Sequence, residues 1–472
     1  ADDGMFLSIG ETQDAKYILV TSGNSNMSET QFVLAASPTE PLAMIAPRRA
    51  DVQYDVDHHQ GRFFILTNAN DAVDFKLVTT PVETPAASHW QDWQSHEAGT
   101  YIAAFATYKE FIVRLERRDA RPRLVISDYK GRAHEVAIDE QAFAFGFVGS
   151  AEYDTEIFRY TYASPTRPTQ IIDYNMRTKT GELRKTKSVP SGHKPDLYVT
   201  ERLTAIAEDG AQIPVMVLRL KQTPLDGSAP LMLYGYGSYG IYIEDDFSTN
   251  ILSLVDRGMI YACAHVRGGS AKGRQWYLDG KLGSKMNSFT DFISCGEMLV
   301  AQKYTAAGKI ISYGGSAGGL LVGAAVNLAP ELFGGVLGAV PFVDVLNTIS
   351  DESLPLTPPE WVEWGDPIRT KDGYDWIKSY SPYDNIPAGK HYPPIMATGG
   401  LADYRVTYWE PAKWIARLRD TATGGPFLLR MNMTAGHGGS AARFEAMEER
   451  AHLYAYALKL VGLDKTDPVS HQ

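Results

Sequence analysis

Only two cysteines, Cys263 and Cys295, occur in 472 residues. A chain of this size does not depend on one disulfide, and both lie among apolar neighbours, Cys263 on an expected strand and Cys295 on an expected helix. Buried thiols in a reducing compartment are the reading. No apolar run approaches the ~20 residues needed to cross a bilayer, so no membrane association is expected. The start, Ala1-Asp2-Asp3-Gly4, lacks the basic-then-apolar order of a signal peptide. A cytoplasmic location follows, with the periplasm left open if a leader has been removed. Base is scarcer than acid, 45 Lys and Arg against 56 Asp and Glu, a net charge of −11. That excess argues against nucleic acid, whose phosphates require clustered cations, and favours cationic substrates. No phosphate-cradling glycine loop lies between a strand and a helix, so no nucleotide cofactor is implied. The adjacent His58-His59 pair lacks the one-face spacing of metal ligands, so no metal is expected either.

What is present divides into two patterns. From Met5 to about Pro190, short alternating runs such as Lys16–Val20, Arg62–Leu66 and Phe111–Leu115 are separated by Asp, Asn, Gly and Pro turns. Segments starting near Gly4, Val52, Gly99 and Ala142 repeat one order of strands, a spacing that fits propeller blades of ~40–50 residues. The turn-rich Pro190–Pro195 ends this region. Beyond it strands alternate with helices, as in a mostly parallel, doubly wound α/β sheet covered on both faces. The domain expectation is therefore 1–195 all-β and 196–472 α/β.

The chemistry concentrates in the second region. Ser316 stands in Gly314-Gly315-Ser316-Ala317-Gly318, after the apolar Lys309–Ser312 and before the small-residue helix pattern Leu320–Val326. That is the strand–turn–helix setting of a nucleophile elbow. Asp403 follows the strand-like Pro394–Thr398, and His437, within Gly436-His437-Gly438-Gly439, follows the strand-like Phe427–Met431. Nucleophile, acid and base in that order, each on a loop past a strand, is the order of an α/β-hydrolase. The backbone N–H of Ala317, next after the nucleophile, is a candidate oxyanion donor.

Six further segments carry a resemblance: Leu233–Gly240 (Leu-Tyr-Gly-Tyr-Gly-Ser-Tyr-Gly), His265–Gly269, Gly314–Gly319, Asp403–Val406, Tyr408–Trp414 and Gly436–Gly439. Together they resemble the prolyl oligopeptidase family, and within it most closely oligopeptidase B. The likeness is specific over 198–461 and weaker over 1–195, where it is to the family's β-propeller. The resemblance implies a serine peptidase that cuts short peptides after Arg or Lys. It implies that the Tyr236 hydroxyl is a second oxyanion donor and that Arg405 contacts the peptide backbone. It also implies that Glu360 holds the P1 cation and that Glu244 and Asp246 favour a basic P2 residue. The second P1 glutamate of oligopeptidase B falls at Val362, so basic specificity is expected to be weaker or altered unless Glu352 or Glu363 substitutes. Where the family carries Gly-Glu, this chain has Ser270-Ala271. Against the family's seven blades, four visible ones imply a partial propeller, its first part absent from this chain or supplied by a second polypeptide. The alternatives are a proline-specific or acylaminoacyl peptidase of the same family, a non-peptidase esterase, or an inactive peptide-binding propeller protein.

Overall fold

The computed structural model describes residues 5–471; the tetrapeptide Ala1–Gly4, and with it the first blade start near Gly4, lies outside them. The chain clusters into two compact units. One comprises residues up to Ser188 with 244–247 and 271–275, and the other 189–243, 248–270 and 276–472. The turn-rich stretch at 190–195 thus falls in the second unit.

In the first unit four four-stranded sheets follow one another along the chain, each in consecutive strand order. Their first and last strands are Phe6–Glu11 and Ala43–Ala46, Tyr54–His59 and Gln91–Gln94, Thr100–Thr107 and Ala133–Glu135, and Ala144–Phe147 and Thr180–Thr186. All the pairings are antiparallel, so tight turns suffice as connections. Apolar side chains pack between successive sheets: Leu19 and Phe32 meet Phe63 and Ile65, and Val113 and Ile126 meet Phe145 and Phe158. His58 and His59 are structural. The His58 ring joins Asp14 at 2.7 Å and accepts from the Gly61 N–H, while His59 meets the Tyr153 hydroxyl at 2.6 Å and stacks on Tyr129.

The second unit is built on an eight-stranded sheet: β1 (Tyr198–Ile206), β2 (Gln212–Leu220), β3 (Leu231–Tyr234), β4 (Ile260–Ala264), β5 (Ile310–Gly315), β6 (Phe333–Ala339), β7 (Ile395–Gly400) and β8 (Phe427–Asn432). Its spatial order is β1-β2-β4-β3-β5-β6-β7-β8. Only the pairings of β2, with β1 and with β4, are antiparallel. β4 and the first five residues of β5 are buried, which is why their sequences read as continuous apolar runs: helices cover both faces. Four of those helices are α1 (Met286–Ala301), α2 (Ala317–Leu328), α4 (Trp409–Thr421) and α5 (Arg443–Leu460). The short α3 (Thr357–Trp364) lies between β6 and β7 in the chain and was not foreseen, because its two prolines and two tryptophans give no helical period. β1 was likewise missed: its burial alternates weakly, so its residues do not announce a strand.

Candidate active site

The elbow forms because β5 runs straight into α2 through one strained residue. Ser316 takes φ +56° and ψ −122°, a conformation that lifts its side chain out of the turn. Its N–H is held by the Ala339 carbonyl at 2.9 Å. The flanking glycines are steric necessities. A Cβ on Gly314 would lie 1.9 Å from the Gly318 carbonyl oxygen, and one on Gly318 would lie 2.7 Å from that of Gly235.

The loops after β7 and β8 bring the acid and base to this serine. His437 Nε2 is 3.1 Å from Ser316 Oγ, and His437 Nδ1 is 2.8 Å from Asp403 Oδ2. The other Asp403 oxygen accepts from the N–H groups of Arg405 and Val406, at 2.9 and 3.0 Å. Asp403 is therefore buried and fixed on both sides. A carboxylate held this way sets the imidazole tautomer that leaves Nε2 unprotonated toward the serine. Beside the serine and histidine opens a cavity of about 340 Å³, also lined by Arg430, Asn432, Glu449 and Arg450.

Two candidate donors lie beside Ser316. Ala317 heads α2, where no carbonyl of the helix can receive its N–H. The Tyr236 side chain lies near that of Ser316. Burial raises the Tyr236 pKa above the ordinary phenol value, against the lowering effect of Ser316, so the group stays a neutral donor. Arg405 is exposed, its guanidinium 6.0 Å from the Tyr404 ring centre.

Glu360 is half-buried on α3. Its Oε2 receives the Tyr239 hydroxyl at 2.7 Å and the indole N–H of Trp364 at 2.5 Å. Among the described residues no lysine or arginine pairs with it, and burial pushes its carboxyl up from the usual range, with Glu363 adding to the rise. Neither candidate substitute for the glutamate missing at Val362 is unengaged. Glu363 is buried and accepts from the Tyr239 N–H at 2.9 Å and the Tyr277 hydroxyl at 2.6 Å. Glu352 meets Arg369 at 2.9 Å. Glu244 and Asp246 belong to the first unit, the triad to the second. Within the first unit Glu244 stands 4.0 Å from Arg117, and Asp246 accepts from the Phe247 N–H.

Residues the sequence reading passed over are Tyr239, Trp364 and Lys285. Tyr239 lies in the Leu233–Gly240 motif, but nothing in that motif indicates that its phenol and amide bridge two glutamates. No periodicity marks Lys285 as buried.

The family's catalytic model, prolyl oligopeptidase family, matches residues 245–464, and its N-terminal β-propeller domain matches residues 1–187. A "Protease 2" of Moraxella lacunata is 37% identical over 470 residues, 99% of this chain and 67% of that protein. The chain belongs to the prolyl oligopeptidase family. "Dipeptidyl aminopeptidase BI" of Pseudoxanthomonas mexicana is 44% identical over 465 residues, 98% of this chain and 64% of that protein. The solved oligopeptidase B from Leishmania major superposes with a TM-score of 0.94 at 35% identity, covering 98% of this chain and 66% of that one. The chain thus spans about two thirds of the length of these relatives.

The propeller match corrects one expectation. The propeller domain is present in this chain, matched by its own family model over residues 1–187. The expectation of a partial propeller, its first part absent, rests on setting a count of sequence repeats against the family's seven blades.

Proposed function

We propose that this chain carries the working parts of a serine oligopeptidase that hydrolyses short peptides on the carboxyl side of Arg or Lys. Ser316 attacks the scissile carbonyl while His437 takes its proton and later returns it to the leaving amine. Asp403 orients the imidazole and stabilises its cation, and Ala317 N–H and Tyr236 OH receive the developing oxyanion. Arg405 contacts the peptide backbone. The observation that carries the substrate class is Glu360, a half-buried carboxylate held only by neutral donors among the described residues. Such a group is costly to ionise alone and is relieved by an incoming guanidinium or ammonium. A basic residue at P2, received by Glu244 and Asp246, remains part of the proposal. The substrates are peptides, with no nucleic acid or membrane involved, no cofactor and no metal, in a cytoplasmic setting. The test is a set of matched fluorogenic peptides ending in Arg, Lys, Pro or Phe. Arg and Lys peptides are expected to be cut fastest, whereas fastest cleavage after Pro would replace this reading with the proline-specific one.

The name of the relative from Pseudoxanthomonas mexicana favours a second reading, removal of dipeptides from a free amino terminus. Acetylating the amino terminus of the best dipeptide substrate separates the two. Retained cleavage supports the oligopeptidase, and lost cleavage the dipeptidyl aminopeptidase.

A further inference from the structure

Lys285 is a buried charge for which the triad has no use. It precedes α1, is 1% exposed, and pairs with no carboxylate among the described residues. Its ammonium donates instead to the carbonyl oxygen of Gly237, to Ser238 Oγ at 2.9 Å and to the carbonyl oxygen of Gly280 at 3.1 Å. A buried cation with no carboxylate in contact is costly, and here two of its three hydrogen bonds go to one short loop. That loop is the Tyr236–Tyr239 turn. Gly237, at φ +73°, follows Tyr236 directly, so gripping its carbonyl fixes the Gly237–Ser238 peptide plane, one residue beyond Tyr236. On its other side the ammonium stands 5.2 Å from the ring centre of Trp364, whose indole N–H is held by Glu360.

The geometry points to Lys285 as a positioning residue of the oxyanion site: by gripping the Gly237 carbonyl it sets where the Tyr236 hydroxyl stands against Ser316. It touches no substrate atom and acts through Tyr236. The inference rests on the proposed reading that Ser316 and Tyr236 carry out acyl transfer, and a displacement of about 1 Å at such a donor is enough to cost ~10²-fold in rate.

The experiment uses the full protein and its best-cleaved fluorogenic peptide. Stoichiometric fluorophosphonate labelling of Ser316 and a kcat loss in Tyr236→Phe test the underlying reading by themselves; if either fails, that reading fails whatever Lys285 does. With both in place, Lys285→Met is expected to lower kcat by about 10–100-fold and to change KM by less than about threefold. The double variant Tyr236→Phe/Lys285→Met is expected to be no more than about threefold slower than Tyr236→Phe, because the lysine has nothing left to position. Near-wild-type kcat in Lys285→Met, or losses that multiply in the double variant, overturn the inference.

A second readout needs no lysine variant to fold. The charged groups facing the ammonium are Glu363 and Lys281, with Glu360 linked through Trp364. Burial, the largest influence, lowers the Lys285 pKa to about 8, so its charge is lost as pH rises through that value. Wild-type kcat is expected to decline above pH ~8, and the decline is expected to be absent in Tyr236→Phe. A wild-type kcat that stays level to about pH 9.5, or a decline that survives in Tyr236→Phe, overturns it.

Discussion

The phenol of Tyr239 donates a 2.7 Å hydrogen bond to Glu360, while the backbone N–H of the same residue donates to Glu363. One tyrosine, at φ +60° in the turn that also carries Tyr236, therefore holds both glutamates of α3. Glu363 accepts one bond on each carboxylate oxygen, whereas both bonds to Glu360 fall on its Oε2. On the proposed reading, substrate selection and oxyanion stabilisation share one turn.

Glu360→Gln is expected to lower kcat/KM for Arg peptides by on the order of 10–100-fold, since a charge-assisted hydrogen bond is worth ~1.5–3 kcal/mol. Uncharged P1 substrates should change little. Arg is expected to be preferred over Lys, because one carboxylate can pair bidentately with a guanidinium. Unchanged Arg cleavage in Glu360→Gln would remove Glu360 from the specificity pocket.

Val362→Glu tests whether a second acid on α3 strengthens the same preference. Val362 is only partly buried, so a carboxylate there can be solvated while the site is empty. The expected outcome is a higher kcat/KM for basic substrates and no gain for Phe substrates, measured side by side.

Ser316→Ala is expected to abolish peptide hydrolysis and leave the circular-dichroism spectrum and Tm unchanged, because it removes one hydroxyl from a turn set by its backbone. Active protein labelled by a fluorophosphonate at another residue, with Ser316 unmodified, would count against the triad.

Tyr236→Phe is expected to lower kcat by about 10–10³-fold with a smaller change in KM, as loss of one oxyanion donor does. A wild-type kcat would leave Ala317 N–H without this partner.

Glu410 offers a test of stability. It is fully buried on α4, accepts from the N–H groups of Val343 and Asp344 and from the Thr348 hydroxyl, and burial pushes its carboxyl up to about 8. The folded state therefore keeps a proton between the unfolded value of 4.5 and about 8 that the unfolded chain releases. The stability this group contributes is present at low pH and is lost as pH rises through that window. Glu410→Gln is expected to flatten the fall of Tm between about pH 5 and 8, read by calorimetry across that range. An identical pH dependence in the variant would show that Glu410 is ionised throughout.

The amino-acid sequence by itself determined the triad and its order. A nucleophile elbow is a local device: the glycines at 314 and 318 and the apolar strand before them are contiguous, and their meaning does not depend on distant residues. The strand–loop settings of Asp403 and His437 are local in the same sense, and so is the alternation that marks the first region as all-β. Contacts made across the fold were decided only by tertiary structure. Tyr239 meets Glu360 across 121 positions and Glu363 across 124, and Lys285 reaches back 48 to Gly237. Whether a charge is buried, and which neighbour holds it, depends on how β3 and α1 are brought beside α3. A pattern of period two or 3.6 describes one element at a time and carries no information about which elements meet.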